Sequence, residues 1–182
     1  MKKEFAAQRL DVKAFAQAGG LLSGQDSLEK YERLVQEAQG ESKDLVVSWS
    51  VRGELRAQAG GAAQVWLHLR AQTSLPLTCQ RCLTPVMVDV VVERPFHFVA
   101  DEAIAAELDD DSEEDVLVLS REFDLLALVE DELLMALPLV PRHEVCPTEV
   151  PLQAVDADFD EASTSKVNPF AALASLRIGK PK

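Results

Sequence analysis

The strongest constraint on the fold is a pair of alternating runs on either side of Leu77-Thr78-Cys79-Gln80-Arg81-Cys82-Leu83. Upstream, Val65, Leu67, Leu69 and Ala71 interleave with Gln64, Trp66, His68 and Arg70. Downstream, Val86, Val88, Val90 and Val92 interleave with Met87, Asp89, Val91 and Glu93. A period of two puts one set on each side of an extended chain, the mark of half-buried strands. The Cys-x-x-Cys between them therefore falls at the tip of a hairpin. Two thiolates one turn apart can face a single ion. A lone Cys-x-x-Cys is weak evidence, so further ligands must come from elsewhere in the chain.

Other segments extend the sheet and cover it. Residues 45–55 read as a strand with Val47, Trp49 and Val51 on one face, and Gly60-Gly61 turns it into the run at 63–72. The next strand spans 84–93, Pro95 interrupts the ladder, and 96–100 continues as an edge or a bend. Two helices are expected. In the first, Ser27 is the N-cap, Leu28, Tyr31, Leu34, Val35 and Ala38 recur at helical spacing, and Gly40 ends it. The second is clearer. Asp124 caps residues 125–137, Leu125, Leu128, Val129, Leu133 and Ala136 line one face, and Pro138 stops it. A short strand at 116–119 precedes it. The expected fold is α+β: an antiparallel meander with a Cys-x-x-Cys hairpin tip, packed by one or two helices.

The flanks read as looser. Residues 1–26, broken at Gly19-Gly20 and Ser23-Gly24, form a flexible N-terminal arm whose Phe5, Leu10, Val12 and Phe15 can still dock. Residues 27–147 form the single domain, with 101–115 as an acidic, solvated loop. Residues 148–182 are an acidic linker and a C-terminal tail that ends in a short helix pattern. There Asn168 and Pro169 fit the cap and first helical position, and Phe170, Leu173 and Leu176 form a stripe suited to docking as a linear motif.

Charge narrows the partners. A formal net charge of −13 repels RNA and anionic membranes unless a local basic patch overrides it, and attracts basic proteins. The start of the chain has no apolar run typical of a signal peptide, and no stretch approaches the roughly 20 apolar residues of a membrane span. The expectation is a cytoplasmic protein with no membrane partner. Its three cysteines are then thiols, free or metal-bound.

The third cysteine completes a ligand set. Cys79 and Cys82, then His143 and Cys146 after a long gap, offer the two close-spaced pairs of a tetrahedral zinc site. Helix 125–137 must fold back to bring them together. The alternative is three reduced thiols and one surface histidine. A redox role is disfavoured, because a redox Cys-x-x-Cys opens a helix and this one joins two strands. Glu130, Asp131 and Glu132 form an acidic patch on an otherwise apolar helix, and three successive residues cannot share one helix face. With the 101–115 loop they are candidate contacts to a basic partner, and Asn168, Pro169 and Phe170 are further candidate partner-binding residues. No phosphate-cradling glycine loop and no nucleophile–base arrangement is present, so no catalytic residues are assigned.

Three segments together resemble one bacterial family: the Cys79–Cys82 heptapeptide, the run from Glu122 through Pro138 to His143, and the C-terminal segment opening with Asn168-Pro169-Phe170. The chain is similar to the large ribosomal RNA subunit accumulation (YceD-like) proteins. The resemblance implies a non-enzymatic role in ribosome biogenesis, in the synthesis, processing or stability of large-subunit (23S) ribosomal RNA. It implies as partner a ribosomal protein or a precursor of the large ribosomal subunit, with the RNA touched directly or indirectly. Some family members carry two Cys-x-x-Cys pairs. Here the second pair is His143 and Cys146, which leaves a zinc site and a relic of one both open. Joined to the charge, the resemblance favours a factor that engages a basic ribosomal protein. The alternatives are a direct RNA-binding module using Arg52, Arg56, Arg70 and Arg81, and a metal-dependent nuclease built on the 101–115 carboxylates.

Overall fold

The computed structural model describes residues 5–40, 43–58, 60–109 and 112–149. The chain divides into two units, Met1–Thr148 and Glu149–Lys182. The sheet and its helices all belong to the first. The C-terminal candidates Asn168, Pro169 and Phe170 lie outside the described residues.

Five strands follow one another in space in chain order: β1 (Leu21–Ser27), β2 (Val46–Arg56), β3 (Gln64–Thr78), β4 (Pro85–Val99) and β5 (Asp115–Val118). The first four pair antiparallel. The fifth runs parallel to β4, with Phe96 opposite Asp115 and Val99 opposite Val118. The sheet is thus mixed, where a pure antiparallel meander was expected. The reason lies in residues 102–109. They form a helix, α3 (Glu102–Asp109), with Asp101 Oδ1 accepting from the Ile104 amide at 3.0 Å. A helical crossover returns the chain to the same end of the sheet and makes the next strand parallel. Ile104, Ala105 and Leu108 carry the helical spacing, and Ala105 is buried. The acidic segment is therefore largely helix and strand.

One face of the sheet is the core side. Val47, Val51, Leu67, Leu69, Ala71, Leu75 and Phe96 are sealed from solvent there, beneath α1 (Val12–Gln17), α2 (Glu32–Glu37) and α4 (Leu125–Met135). The alternation predicted for β3 and β4 is present, and each strand runs on past its expected C-terminal end. Pro95 does not interrupt the ladder, since it pairs with His68 and the strand runs on to Val99. Asp124 caps α4 as expected, its Oδ1 accepting from Leu126 and Ala127. Ser27 caps only a 3-10 turn, Leu28–Lys30, and α2 follows as a separate short helix.

The N-terminal segment corrects the sequence reading. From Phe5 on it is part of the domain. Leu10, Val12 and Phe15 have no exposed surface, Leu10 bridges Phe123, and β1 forms the first strand of the sheet. Two of the glycines in the expected breaks, Gly20 and Gly24, are sites of close approach. A Cβ on Gly20 would lie 2.3 Å from the Phe15 ring, and one on Gly24 would lie 2.6 Å from Trp49. On β2, a Cβ on Gly53 would meet the Ala16 backbone at 2.8 Å. Helix α1 rests directly on the strand because no side chain intervenes.

The β3–β4 hairpin outgrows the sheet. Its pairing runs from Val65↔Phe98 to Thr78↔Pro85, whereas β2 pairs with β3 only as far as Gln72. The outer part of β3, residues 73–78, together with the facing residues of β4 is a two-stranded arm. It carries the Cys-x-x-Cys at its tip.

Candidate metal centre

The tip is closed by Cys79 N–H donating to the Thr84 carbonyl and Leu83 N–H to the Cys79 carbonyl. Leu83 holds a φ of 60°. That left-handed conformation is costly for a branched side chain. It fills the place that glycine takes in many such turns, and the Leu83 side chain stands out into solvent.

After α4, Pro138 ends the helix and the chain runs back to the tip. The Gln80 amide donates to the Pro141 carbonyl at 2.8 Å. This anchors the loop so that Cys79, Cys82, His143 and Cys146 converge, with their ligand atoms all within 4.8 Å of one another. Cys82 Sγ lies 3.4 Å from His143 Nδ1. A tetrahedral zinc, at about 2.3 Å from sulfur and about 2.0 Å from nitrogen, spaces its ligand atoms by roughly 3.5–3.8 Å. The four residues fit such an ion in number, donor type and span. Cys79 is fully buried, and the other three are half-buried.

The surrounding groups prepare the ligands. His143 Nε2 lies 3.1 Å from the Pro85 carbonyl. A carbonyl can only accept, so the ring proton sits on Nε2 and the Nδ1 lone pair faces the cysteines. Outer hydrogen bonds of this kind fix the tautomer of a metal-binding histidine. Burial opposes ionisation of Cys79. The backbone amides of Cys82, His143 and Arg81 and the His143 ring outweigh it, and bring the thiol down to about 5. The Thr84 hydroxyl, 3.1 Å from Cys82 Sγ, lowers that thiol as well. Contact with Cys79 raises the His143 imidazole. Burial, with the neighbouring thiols, pushes Cys146 up to about 11. The surrounding groups thus favour thiolate at Cys79 and ease ionisation of Cys82, the form in which sulfur binds a metal. A divalent cation satisfies all four at once. Knuckle spacing picked out the four residues that converge, but Thr84 and the Pro85 carbonyl, which tune them, carried no signal of their own.

The acidic triad of α4 is committed within the fold. Glu130 Oε2 accepts from both Arg33 Nε, at 3.0 Å, and Nη2, at 2.9 Å, while its Oε1 accepts from the Arg33 backbone amide at 2.8 Å. Asp131 pairs with Arg33 Nη1. Glu132 is only 4% exposed and meets Arg94 at 3.3 Å. Asp131 alone presents a substantial surface. The arginines considered for RNA are divided. Arg52 and Arg56 lie 3.7 and 3.5 Å from Glu54, which also meets His68 at 2.7 Å, and Arg56 sits 4.0 Å above the Trp66 ring. Arg81 is away from them, at the metal tip.

Among the described residues, no helix is long and apolar enough to cross a membrane. No solved structure matches the chain. The chain is 38% identical over 109 residues to the large ribosomal RNA subunit accumulation protein YceD of Haemophilus influenzae, covering 59% of this chain and 63% of that protein. It thus spans somewhat less than two thirds of that curated relative. The family model for the large ribosomal RNA subunit accumulation protein YceD matches residues 67–177, from β3 through α4 and the loop that completes the ligand cluster, and on that match the chain belongs to the YceD family.

Proposed function

We propose that this protein is a non-enzymatic factor in the synthesis, processing or stability of large-subunit ribosomal RNA, and that it acts by holding a basic ribosomal protein of that subunit. Family membership and the name of the Haemophilus relative support the RNA outcome. The observation that carries the mode of action is a set of uncommitted carboxylates. Glu102, Glu107, Glu113 and Glu114 are exposed, and among the described residues none has an ion pair. In α4, by contrast, Arg33 and Arg94 already hold the acids. Partner contact is therefore assigned to the α3 segment rather than to Glu130, Asp131 and Glu132. In this reading zinc occupies the Cys3His cluster and staples the 139–146 loop to the hairpin tip, with a structural rather than a chemical role.

Two measurements test this. The first is the ratio of large- to small-subunit ribosomal RNA in cells depleted of the protein, with rescue by wild type and by Cys79→Ser/Cys82→Ser. A selective loss of large-subunit RNA restored only by wild type is the expected result, and an unchanged ratio on depletion refutes the role. The second is retention of large-subunit ribosomal proteins as salt rises. Contact between exposed charges weakens steeply with ionic strength, so a flat dependence contradicts the acidic-surface mechanism.

A further inference from the structure

Among the described residues, strand β4 leaves a long edge without a partner. Strand β5 covers it only from Phe96 to Val99. Which residues of β4 point their backbone outward follows from β3. The Pro76 carbonyl accepts from Gln39 N–H, and the Pro85 carbonyl accepts from His143 Nε2, so both point away from the β3–β4 ladder. Pro76 pairs with Met87, and antiparallel ladders alternate inward and outward groups. The outward amides and carbonyls of β4 are therefore those of Met87, Asp89, Val91 and Glu93. Pro95 continues that series, and its missing N–H costs the ladder nothing. Among the described residues, no backbone hydrogen bond reaches the outward groups of Met87, Asp89, Val91 or Glu93.

The side chains of the same four residues lie on the solvent-facing side of the sheet. Met87 and Val91 are each 59% exposed, and Asp89 and Glu93 are exposed as well. Asp89 accepts from the Ser74 hydroxyl, and Glu93 lies across from Arg70 without an ion pair. The row thus reads apolar, acidic, apolar, acidic. An exposed valine-rich edge with no lysine, bulge or covering strand is a template for strand addition.

We propose that the β4 edge from Met87 to Glu93 is a docking site for an extended basic segment of a partner protein, added as a further strand beside β4. The alternating row selects the occupant. Lysine or arginine side chains of the added strand would sit by Asp89 and Glu93, with apolar ones by Met87 and Val91, and such cross-strand pairs are the units of sheet recognition. A second copy of this chain is a poor occupant, because it would bring another −13 charge and set Asp89 and Glu93 against acids of its own. The inference rests on the basic-protein reading above and gives it a surface and a geometry.

The full-length protein is tested with a blocked ten-residue peptide of alternating lysine and valine. A peptide of the same composition, with its lysines and valines in separate blocks, is the comparison. The alternating peptide is expected to bind more tightly and to slow amide exchange at Met87, Asp89, Val91 and Glu93 by about tenfold or more. Val91→Pro removes one outward N–H at a position of the same class as Pro95, so it should leave the fold intact and weaken the peptide by about tenfold. A folded Val91→Pro protein that binds the peptide unchanged overturns the proposal. If that variant does not fold, Asp89→Lys/Glu93→Lys decides instead, and unchanged affinity there is equally fatal. Amides already protected in the free protein also overturn it, whether the protection depends on concentration, as for a second copy, or not, as for another part of the chain. Retention of ribosomal proteins separates the two readings. If Val91→Pro still retains them in a salt-dependent way, the acidic surface stands and strand addition falls. If wild type retains none at low salt, the basic-protein reading falls first.

Discussion

Strands β3 and β4 lead two different lives along their length. Between Val65 and Ala71, β3 has neighbours on both sides, and Leu67 and Leu69 are covered by the helices and sealed from solvent. Beyond Gln72 the same two strands are a ribbon, with no third strand beside them. Two-stranded ribbons are marginal in water. The arm is supported near Pro76 by the Gln39 amide and at the far end by the ligand cluster and the returning 139–146 loop. Leu75, Leu77 and Val90 still pack into the core, so one pattern of alternation serves hydrophobic burial in the body and inner arm, and the tip adds bonding at a point. At the tip, beyond Leu77, that core ends, and a bound metal would fix the short segment that remains.

Removing the ligands should expose that division most strongly. Cys79→Ser/Cys82→Ser, or chelation of the wild type, is expected to speed amide exchange across the tip and the 139–146 loop by about a hundredfold or more. Residues 47–71 should keep their protection. Hydrogen exchange resolved along the chain checks both, and equal loss in body and arm would mean that the two form one cooperative unit. A truncation pair sharpens the contrast. Leu69→Ala should cost about 3–4 kcal/mol by urea unfolding, because its site in the body cannot collapse. Leu77→Ala, next to the cluster and nearly as buried, should cost about 2–3 kcal/mol with zinc bound. With chelator present the Leu77 cost should fall below about 1 kcal/mol while the Leu69 cost stands, since a frayed arm has little packing left to lose.

The same contrast explains what the sequence could reveal. The alternation of β3 and β4 was legible because period two persists over both strands and Asp, Glu, Gln and Arg mark the open side. The four residues that cluster at the tip were legible because each pair keeps its own close spacing, whatever the fold does between them. Asp124 was legible because a cap acts on amides two and three residues away. What escaped depended on contacts between distant segments. Gly20 and Gly24 look like breaks until Phe15 and Trp49 are brought against them. The acids of α3 disguised a helix whose buried Ala105 is the only sign of a packed face. Nothing near Glu130, Asp131 or Glu132 announces Arg33 or Arg94, so the ion pairs these acids make within the fold carried no local signal.

Arg94 and Glu132 test the body at its most polar point. Arg94 occupies the core face of β4 opposite Leu69, with Glu132 of α4 at 3.3 Å and Asp115 of β5 at 2.8 Å. Burial raises the Glu132 carboxyl above the ordinary glutamate range, against the pull of Arg94. A carboxyl raised by folding stabilises the native state fully below its unfolded value, and that contribution is lost as pH climbs through the folded value. Arg94→Met leaves Glu132 buried without its cation and should cost about 3 kcal/mol at pH 8, where the carboxylate must be charged. At pH 5 the cost should be smaller, because Glu132 can take up a proton. Glu132→Gln should change stability by less than about 1 kcal/mol at neutral pH, since it removes a buried charge and leaves Asp115 to Arg94. Its stability should also decline less than that of wild type as pH rises from the glutamate range. Urea midpoints across that range measure both variants. A Glu132→Gln loss as large as that of Arg94→Met would mean that the pair, rather than the apolar packing around it, holds α4 to the sheet.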